Sequence, residues 1–328
     1  MELVSEKPRI IMKRTTLSFQ KLFLLSTVCL INFSTLVVNS QNIHENAGTR
    51  AMPFLKIGIG AKGISMGESQ VALTNDMYAA YWNPAGLSSV KRTQFAAMHN
   101  NWFEGISHQF IGISQPVGGG VIGTSIISLS YGTITGRDAN GKETKEFRPR
   151  DLAVLLSYGQ EFGNTALGLN LKWVSEKIIE DIGAQVIASD LGVLHSIPAK
   201  NLAIGLNIQN LGTKAKFVED SEEEFSLPVN IKLGFAYRVP GDKLAITADL
   251  NRPSDNDLTL GFGVSLTVLQ RLHLRTGYKY ELGGNDLGAA SGIATGFGIN
   301  VGDFGLDYAL GTLGKFGTVH RFSLLSNF

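Results

Sequence analysis

From about residue 95 to Phe328, apolar and polar residues alternate in runs separated by turns that are short, then long, then short. The stretch from Asn201 to Gln209 is the cleanest. Leu202, Ile204, Leu206 and Ile208 fall on one side, and Ala203, Gly205, Asn207 and Gln209 on the other. An extended strand sends successive side chains to opposite faces, so this period of two predicts a sheet with one apolar and one polar face. The same pattern sets Leu167, Leu169, Leu171 and Trp173 against Gly168, Asn170 and Lys172, and Ile231, Leu233, Phe235 and Tyr237 against Lys232, Gly234 and Arg238. It recurs with Leu272, Leu274 and Tyr278 against His273, Arg275 and Lys279, and with Phe304, Leu306, Tyr308 and Leu310 against Asp303, Gly305, Asp307 and Ala309. Strands are predicted to start near Gln94, Ile106, Val121, Leu152, Thr165, Ala184, Asn201, Val229, Lys243, Asp257, Arg271, Gly292, Asp303 and Thr318. That makes about fourteen, an even number, as single-chain bacterial barrels have.

A soluble β-sandwich also alternates, because it too has a core face and a wet face. The turns separate the two readings. Connections after even-numbered strands are tight: Pro116 to Gly119, Phe162 to Asn164, Pro198 to Lys200, Pro240 to Asp242, and Leu269-Gln270. Connections after several odd-numbered strands are long and polar: Gly132 to Arg150, Gly212 to Pro228, and Glu281 to Ser291. Short turns at one end and long loops at the other are the asymmetry of outer-membrane barrels, with the tight side facing the periplasm. The fold class expected is therefore all-β, a transmembrane antiparallel β-barrel, with lipid on its greasy side. Trp102, Phe103, Tyr131, Tyr158, Trp173, Tyr237, Tyr278 and Tyr280 fall near predicted strand ends, where interfacial girdles lie.

Composition agrees with a barrel. Of the residues, 17% are charged, and there are 38 Gly. A soluble domain carries about 25% charged residues, and Gly-rich strands suit bends and close interior packing. A net charge of +1 argues against a nucleic-acid surface, which is strongly basic. Residues 1–40 read as a signal peptide: Lys13, Arg14 and Lys21 form a positive region, Leu22 to Val38 is mostly apolar, and Val38-Asn39-Ser40 offers a cleavage site. Met12 is an alternative start. The chain's one cysteine, Cys29, lies within the apolar run, so the exported chain is expected to have neither disulfides nor thiol chemistry. No second apolar stretch is long enough for a helical span, so membrane insertion after export requires a barrel. The expected location is the outer membrane of a Gram-negative cell.

Lys172, Lys232, Arg238, Asp249, Arg275, Lys279, Asp303 and Asp307 fall on the polar face of their strands and are expected to line the lumen. On the lipid face a Lys or Arg near the midplane costs about 2–4 kcal/mol. The loop containing Arg137, Lys142, Lys145, Arg148 and Arg150 is basic, and residues 219–224 form an acidic run. The six histidines, at 44, 99, 108, 195, 273 and 320, show no metal-ligand spacing. There is no G-x-S-x-G elbow. No catalysis, cofactor or metal is expected.

Residues 41–93 precede the barrel, residues 94–328, and do not alternate. They contain Pro53-Phe54-Leu55-Lys56-Ile57-Gly58, Gly60-Ala61-Lys62-Gly63-Ile64-Ser65-Met66-Gly67, Val71-Ala72, Asp76 and Ala79-Ala80-Tyr81-Trp82-Asn83-Pro84-Ala85-Gly86-Leu87. Asn75 or Asp76 can cap a short helix, Met77 to Trp82, stopped by Pro84. This small Gly-rich segment is expected to fold into the barrel mouth as a plug or hatch. Gly58 to Gly63 matches G-x-G-x-x-G, but a dinucleotide site needs a βαβ unit around it, so these glycines predict close packing. Asn83-Pro84-Ala85-Gly86 predicts a turn.

The motif resembles the N-terminal signature of PorV/PorQ proteins, within the wider FadL-like outer-membrane barrels. The resemblance implies a non-catalytic barrel serving type IX secretion, with translocon subunits or cargo C-terminal domains as partners and Pro53, Phe54, Gly60, Gly63, Met66, Gly67, Asp76, Trp82, Asn83, Pro84 and Gly86 as the plug motif. The alternative is a FadL-like channel for uptake of small hydrophobic ligands. An apolar pocket near Phe54, Met66 and Trp82 would favour transport, and a filled lumen would favour docking. Phe322, Leu324 and the terminal Phe328 resemble the signal read by barrel assembly machinery, and outer-membrane lipid is the remaining expected partner.

Overall fold

A computed structural model describes residues 44–219, 221–283 and 291–328. The predicted leader, residues 1–40 with Met12 and Cys29, lies outside the described residues. The alternating runs form strands β1 (Gln94–Asn101), β2 (Ser107–Val117), β3 (Gly120–Ser130), β4 (Ile134–Arg137), β5 (Glu143–Phe147), β6 (Arg150–Phe162), β7 (Thr165–Ile179) and β8 (Ile182–Ile197). They continue as β9 (Leu202–Gly212), β10 (Asn230–Arg238), β11 (Leu244–Pro253), β12 (Thr259–Val268), β13 (Leu272–Glu281), β14 (Ile293–Val301), β15 (Phe304–Thr312) and β16 (Thr318–Asn327). All but β4 and β5 pair in one closed antiparallel barrel of fourteen strands. β16 closes against β1, with Gln94 opposite Asn327 and Asn101 opposite His320. Closure leaves no unpaired edge, which backbone in a bilayer requires.

The connections keep the predicted parity. Residues 118–119, 163–164, 198–201, 239–243, 269–271 and 302–303 turn tightly at one end. The opposite end carries the long connections 131–149, 213–229 and 282–292, with shorter ones between them. Part of the first long connection is ordered as the β4–β5 hairpin, which pairs with itself and not with the barrel. Its composition is polar and its strands are short, so alternation in the sequence does not announce it.

The outer face is apolar. Leu167, Leu169 and Leu171 are 48%, 47% and 52% exposed, whereas the intervening Asn170 and Lys172 are buried. Polar-inside with apolar-outside inverts a soluble protein and matches a lipid-facing wall. Tyr158, Trp173 and Tyr237 lie on this outer face. Trp102 and Tyr131 depart from the predicted girdle: they pack against the buried cluster inside the barrel, and the Tyr131 hydroxyl donates to Asp151 at 2.8 Å. Here an inward partner outweighs interfacial placement.

Residues 51–90 fill the lumen. They comprise 3-10 turns at Pro53–Lys56 and Pro84–Ser89 and two short helices, α1 (Ala61–Ser65) and α2 (Ala79–Trp82). The predicted helix is shorter than expected at its start. Asp76 nonetheless supports it, since its carbonyl accepts from Ala79 N at 2.9 Å and its side chain from Tyr78 N at 3.0 Å. The short helix α1 begins inside the G-x-G-x-x-G run, at Ala61, and no βαβ unit surrounds it. Gly60 has φ +77°, and a Cβ on Gly63 would lie 2.7 Å from the Trp82 ring. These glycines therefore bring two helices together.

Candidate functional site

The plug threads the barrel from end to end. At the long-loop end Ala51 N donates to the Ser226 carbonyl at 3.1 Å, Met52 N to Glu176 at 2.8 Å, and Lys56 pairs with Asp255 at 2.5 Å. At the other end the chain leaves the lumen and enters β1 at Gln94, whose side chain accepts from Met77 N at 3.0 Å.

Glycines on the inner wall admit the plug backbone. A Cβ on Gly168 would lie 2.1 Å from Ala85 N, one on Gly277 2.1 Å from Gly67 N, and one on Gly205 2.4 Å from the Val71 carbonyl oxygen. These positions lie on three separate strands, β7, β13 and β9, so the contact runs round the barrel. With no Cβ in the way, plug backbone packs directly on wall backbone.

Wall amides then satisfy the plug's free carbonyls. A helix leaves its last carbonyls without internal partners. For α2, Asn170 Nδ2 donates to Ala80 O at 2.7 Å, Gln209 Nε2 to Tyr81 O at 2.6 Å and Asn207 Nδ2 to Trp82 O at 2.8 Å. Asn83 donates to the Val71 carbonyl at 2.9 Å and to the Val193 carbonyl of β8 at 3.0 Å. Its Oδ1 accepts from Ala85 N at 3.2 Å, which starts the turn predicted at Asn83-Pro84-Ala85-Gly86. At the closing seam the Tyr78 hydroxyl is shared between the carbonyls of Ala97 and Leu324, at 2.7 and 3.0 Å, which face each other across β1 and β16. Burial pushes this hydroxyl's pKa well up, so it stays a donor.

Charge concentrates on one side of the lumen. Lys279 pairs with Glu68 of the plug at 2.9 Å. Lys232 stands 5.1 Å from the centre of the Tyr81 ring and 5.0 Å from that of Trp82, a cation–π arrangement. Asp249 accepts from Val71 N at 2.9 Å. Burial alone raises the Glu68 carboxyl, but Lys279, with Lys232 and Arg321 beyond it, holds it below its ordinary value. A gap of about 10 Å³ lies among Glu68, Lys232, Asp249 and Lys279, the size of about one water probe.

Two further ion pairs are built into the wall. Lys172 meets Asp190 at 2.7 Å beside a β-bulge where Asn210 takes φ 62°, and Arg275 meets Asp307 at 2.5 Å. Thus Lys172, Lys232, Asp249, Arg275, Lys279 and Asp307 all face inward. Arg238 is exposed at the tight-turn rim, and Asp303 lies in the turn between β14 and β15, paired with Arg92. Strand parity is maintained at Arg238 and Asp303, but the wall no longer encloses them there. In the plug motif, Phe54, Gly60, Gly63, Met66, Gly67, Asp76, Trp82, Asn83, Pro84 and Gly86 are buried and Pro53 is exposed. In β16 Phe322 is exposed and Leu324 is half-buried, and Phe328, one residue past the strand, is exposed.

β2, β3 and β6–β8 carry an inward apolar cluster beside Asp151 and the Lys172–Asp190 pair, a feature that strict alternation does not reveal. Phe110 of β2, Ile127 and Leu129 of β3, Leu155 of β6, Val174 of β7 and Val186 of β8 point inward and pack against Met52, Phe54 and Leu55 of the plug. The sequence signal is the loss of alternation in Ile126-Ile127 and Leu152-Ala153-Val154-Leu155-Leu156. Continuous apolar runs mark a strand covered on both faces. At the margin of this wall Asn100, His108 and Arg321 sit side by side in register. All three are buried, and the Asn100 oxygen, in the amide orientation its neighbours satisfy, accepts from Arg321 Nε at 3.2 Å.

No family model and no curated protein matches this sequence. Solved structures do. The toluene transporter TodX of Pseudomonas putida superimposes with a TM-score of 0.63 at 14% identity, over 83% of this chain and 98% of that one. The monoaromatic hydrocarbon channel CymD gives 0.63 at 11% identity over the same shares. A Pseudomonas aeruginosa FadL homologue gives 0.54 at 11%, over 82% and 98%. At these identities the likeness is one of fold, that of FadL-type outer-membrane barrels.

Proposed function

We propose that this barrel passes small hydrophobic molecules across the outer membrane, with the plug segment around Phe54 yielding to the ligand. One observation carries this reading: the inward-facing apolar wall formed by Phe110, Ile127, Leu129, Leu155, Val174 and Val186. A water-filled pore has a polar interior. An apolar interior reached from the long-loop end suits a ligand that leaves water favourably, at about 25 cal/mol per Å² of apolar area buried. The shared fold with a toluene transporter and a monoaromatic hydrocarbon channel supports the same reading. The test is uptake of radiolabelled toluene or a medium-chain alkane by cells with and without the protein. Uptake is expected to fall on deletion and again in Phe110→Asp, which puts a charge into the apolar wall. Unchanged uptake in both strains sinks the channel reading.

A second reading is a docking barrel for protein secretion, as the PorV/PorQ resemblance implies. What favours it is the closeness of the plug to the wall, with Phe54, Met66 and Trp82 all buried. On this reading translocon subunits co-purify with the barrel, and deletion leaves secreted cargo unprocessed. Normal cargo processing together with no co-purifying partner rules it out.

A further inference from the structure

The outward face carries a cation pair at the long-loop rim. Arg150 opens β6 and Lys177 lies near the end of β7, and the two stand directly opposite in the antiparallel register. Each alternates with an inward neighbour, Asp151 or Glu176, so both side chains point away from the lumen, and both are exposed. Like charges directly opposite each other destabilise a strand pair unless an anion joins them. Among the described residues neither cation takes part in an ion pair. Their rung continues into Ser130 of β3 and Gly183 of β8, so no acid stands beside them on the flanking strands.

The rungs below grade toward lipid. One rung toward the midplane lie Ser128, Leu152, Ser175 and Gln185, all outward, so three polar side chains share this rung with one leucine. The next rung holds Trp173, flanked by aliphatic side chains. Same-face rungs are about 7 Å apart along a strand, so the cations stand about 13 Å along the wall from Trp173. Cation, hydroxyl or amide, then aromatic and aliphatic is the order in which a phosphorylated glycolipid presents phosphate, sugar and acyl chains.

We propose that Arg150 and Lys177 bind the phosphate of an outer-leaflet glycolipid, with the sugar on the rung of Ser128, Ser175 and Gln185 and the acyl chains against Trp173. The site is independent of passage through the lumen. Charge-assisted hydrogen bonds from two cations to one phosphate supply the affinity.

The test uses the full chain reconstituted into phosphatidylcholine nanodiscs, with bound lipid read by native mass spectrometry. The probes are lipid A, lipid A stripped of its phosphates, and phosphatidylglycerol. Lipid A is expected to bind about tenfold tighter than either of the others. R150Q/K177Q is expected to lose that preference, whereas the hairpin variant K142Q/K145Q keeps it. Equal binding of phosphorylated and dephosphorylated lipid A overturns the proposal. Equal binding of phosphatidylglycerol overturns it as well, since any anionic headgroup would then do. So does wild-type affinity in R150Q/K177Q. Should that variant fail to fold, the charge-conserving R150K/K177R and the lipid comparison on the wild-type chain decide the matter.

Discussion

A Cβ on Gly168 would sit 2.1 Å from Ala85 N and 2.2 Å from the Pro84 carbonyl carbon, both backbone atoms of the plug. Neither can give way alone, so Gly168→Ala is expected to destabilise the barrel by about 1–3 kcal/mol, the usual cost of overpacking. Gly311→Ala is the control, because its Cβ meets nothing nearer than an Arg321 nitrogen at 3.7 Å. Urea unfolding in detergent micelles reads both. Glu68 makes a prediction about pH. Its carboxyl is held below the ordinary value of 4.5 by Lys279, against the pull of burial. A lowered carboxyl stabilises the folded state above its unfolded pKa and loses that contribution as pH falls through the folded value. The wild-type barrel is therefore expected to lose stability on acidification below about pH 4. Glu68→Gln is expected to be weaker at neutral pH and to show a shallower acid slope in the same unfolding assay. An equal slope would mean that the pair with Lys279 adds nothing.

Among the elements, α2 is too short to hold its own hydrogen bonds, since isolated helices below about 12–15 residues are marginal in water. Three wall amides from two strands take its last carbonyls. Asn207→Leu and Gln209→Leu are each expected to cost about 1 kcal/mol or somewhat more, because an orphaned buried carbonyl adds a desolvation penalty. Fluorescence of Trp82, whose carbonyl Asn207 holds, is expected to shift as well. The β4–β5 hairpin behaves in the opposite way. It pairs only with itself, so deletion of residues 134–147 is expected to leave the heat-modifiable gel mobility of the barrel intact. The difference lies in where each element finds its hydrogen-bond partners.

For the molecule as a whole, passage of a ligand requires the plug to move against its wall. Ser69 Oγ of the plug and Thr247 Oγ1 of β11 are 2.5 Å apart, which makes the pair a candidate for a disulfide. The chain has a single cysteine, Cys29, within the predicted leader. S69C/T247C is expected to stop hydrocarbon uptake when oxidised and to restore it on reduction. Uptake unaffected by oxidation would locate the path elsewhere. At this scale the barrel was legible in the sequence, because a period of two is local and needs no knowledge of partners. The strand starts, from Gln94 to Thr318, lie within two residues of those predicted. Turn parity was legible for the same reason, since Gly, Pro and Asn mark most of the tight turns and the Leu269-Gln270 step is betrayed only by its shortness. The plug was legible only as an interruption of the pattern. Its contacts join Asn83 to Val193, Glu68 to Lys279 and Tyr78 to Leu324, residues far apart in the chain. No local period encodes such pairings. By itself the sequence determined a closed sheet with lipid outside and charge inside, because side-chain direction follows from backbone geometry. Only the tertiary structure decided that the lumen is threaded from end to end and which inward side chains meet, an apolar cluster around Phe54 and ion pairs elsewhere on the wall, because that depends on which strands adjoin and in what register.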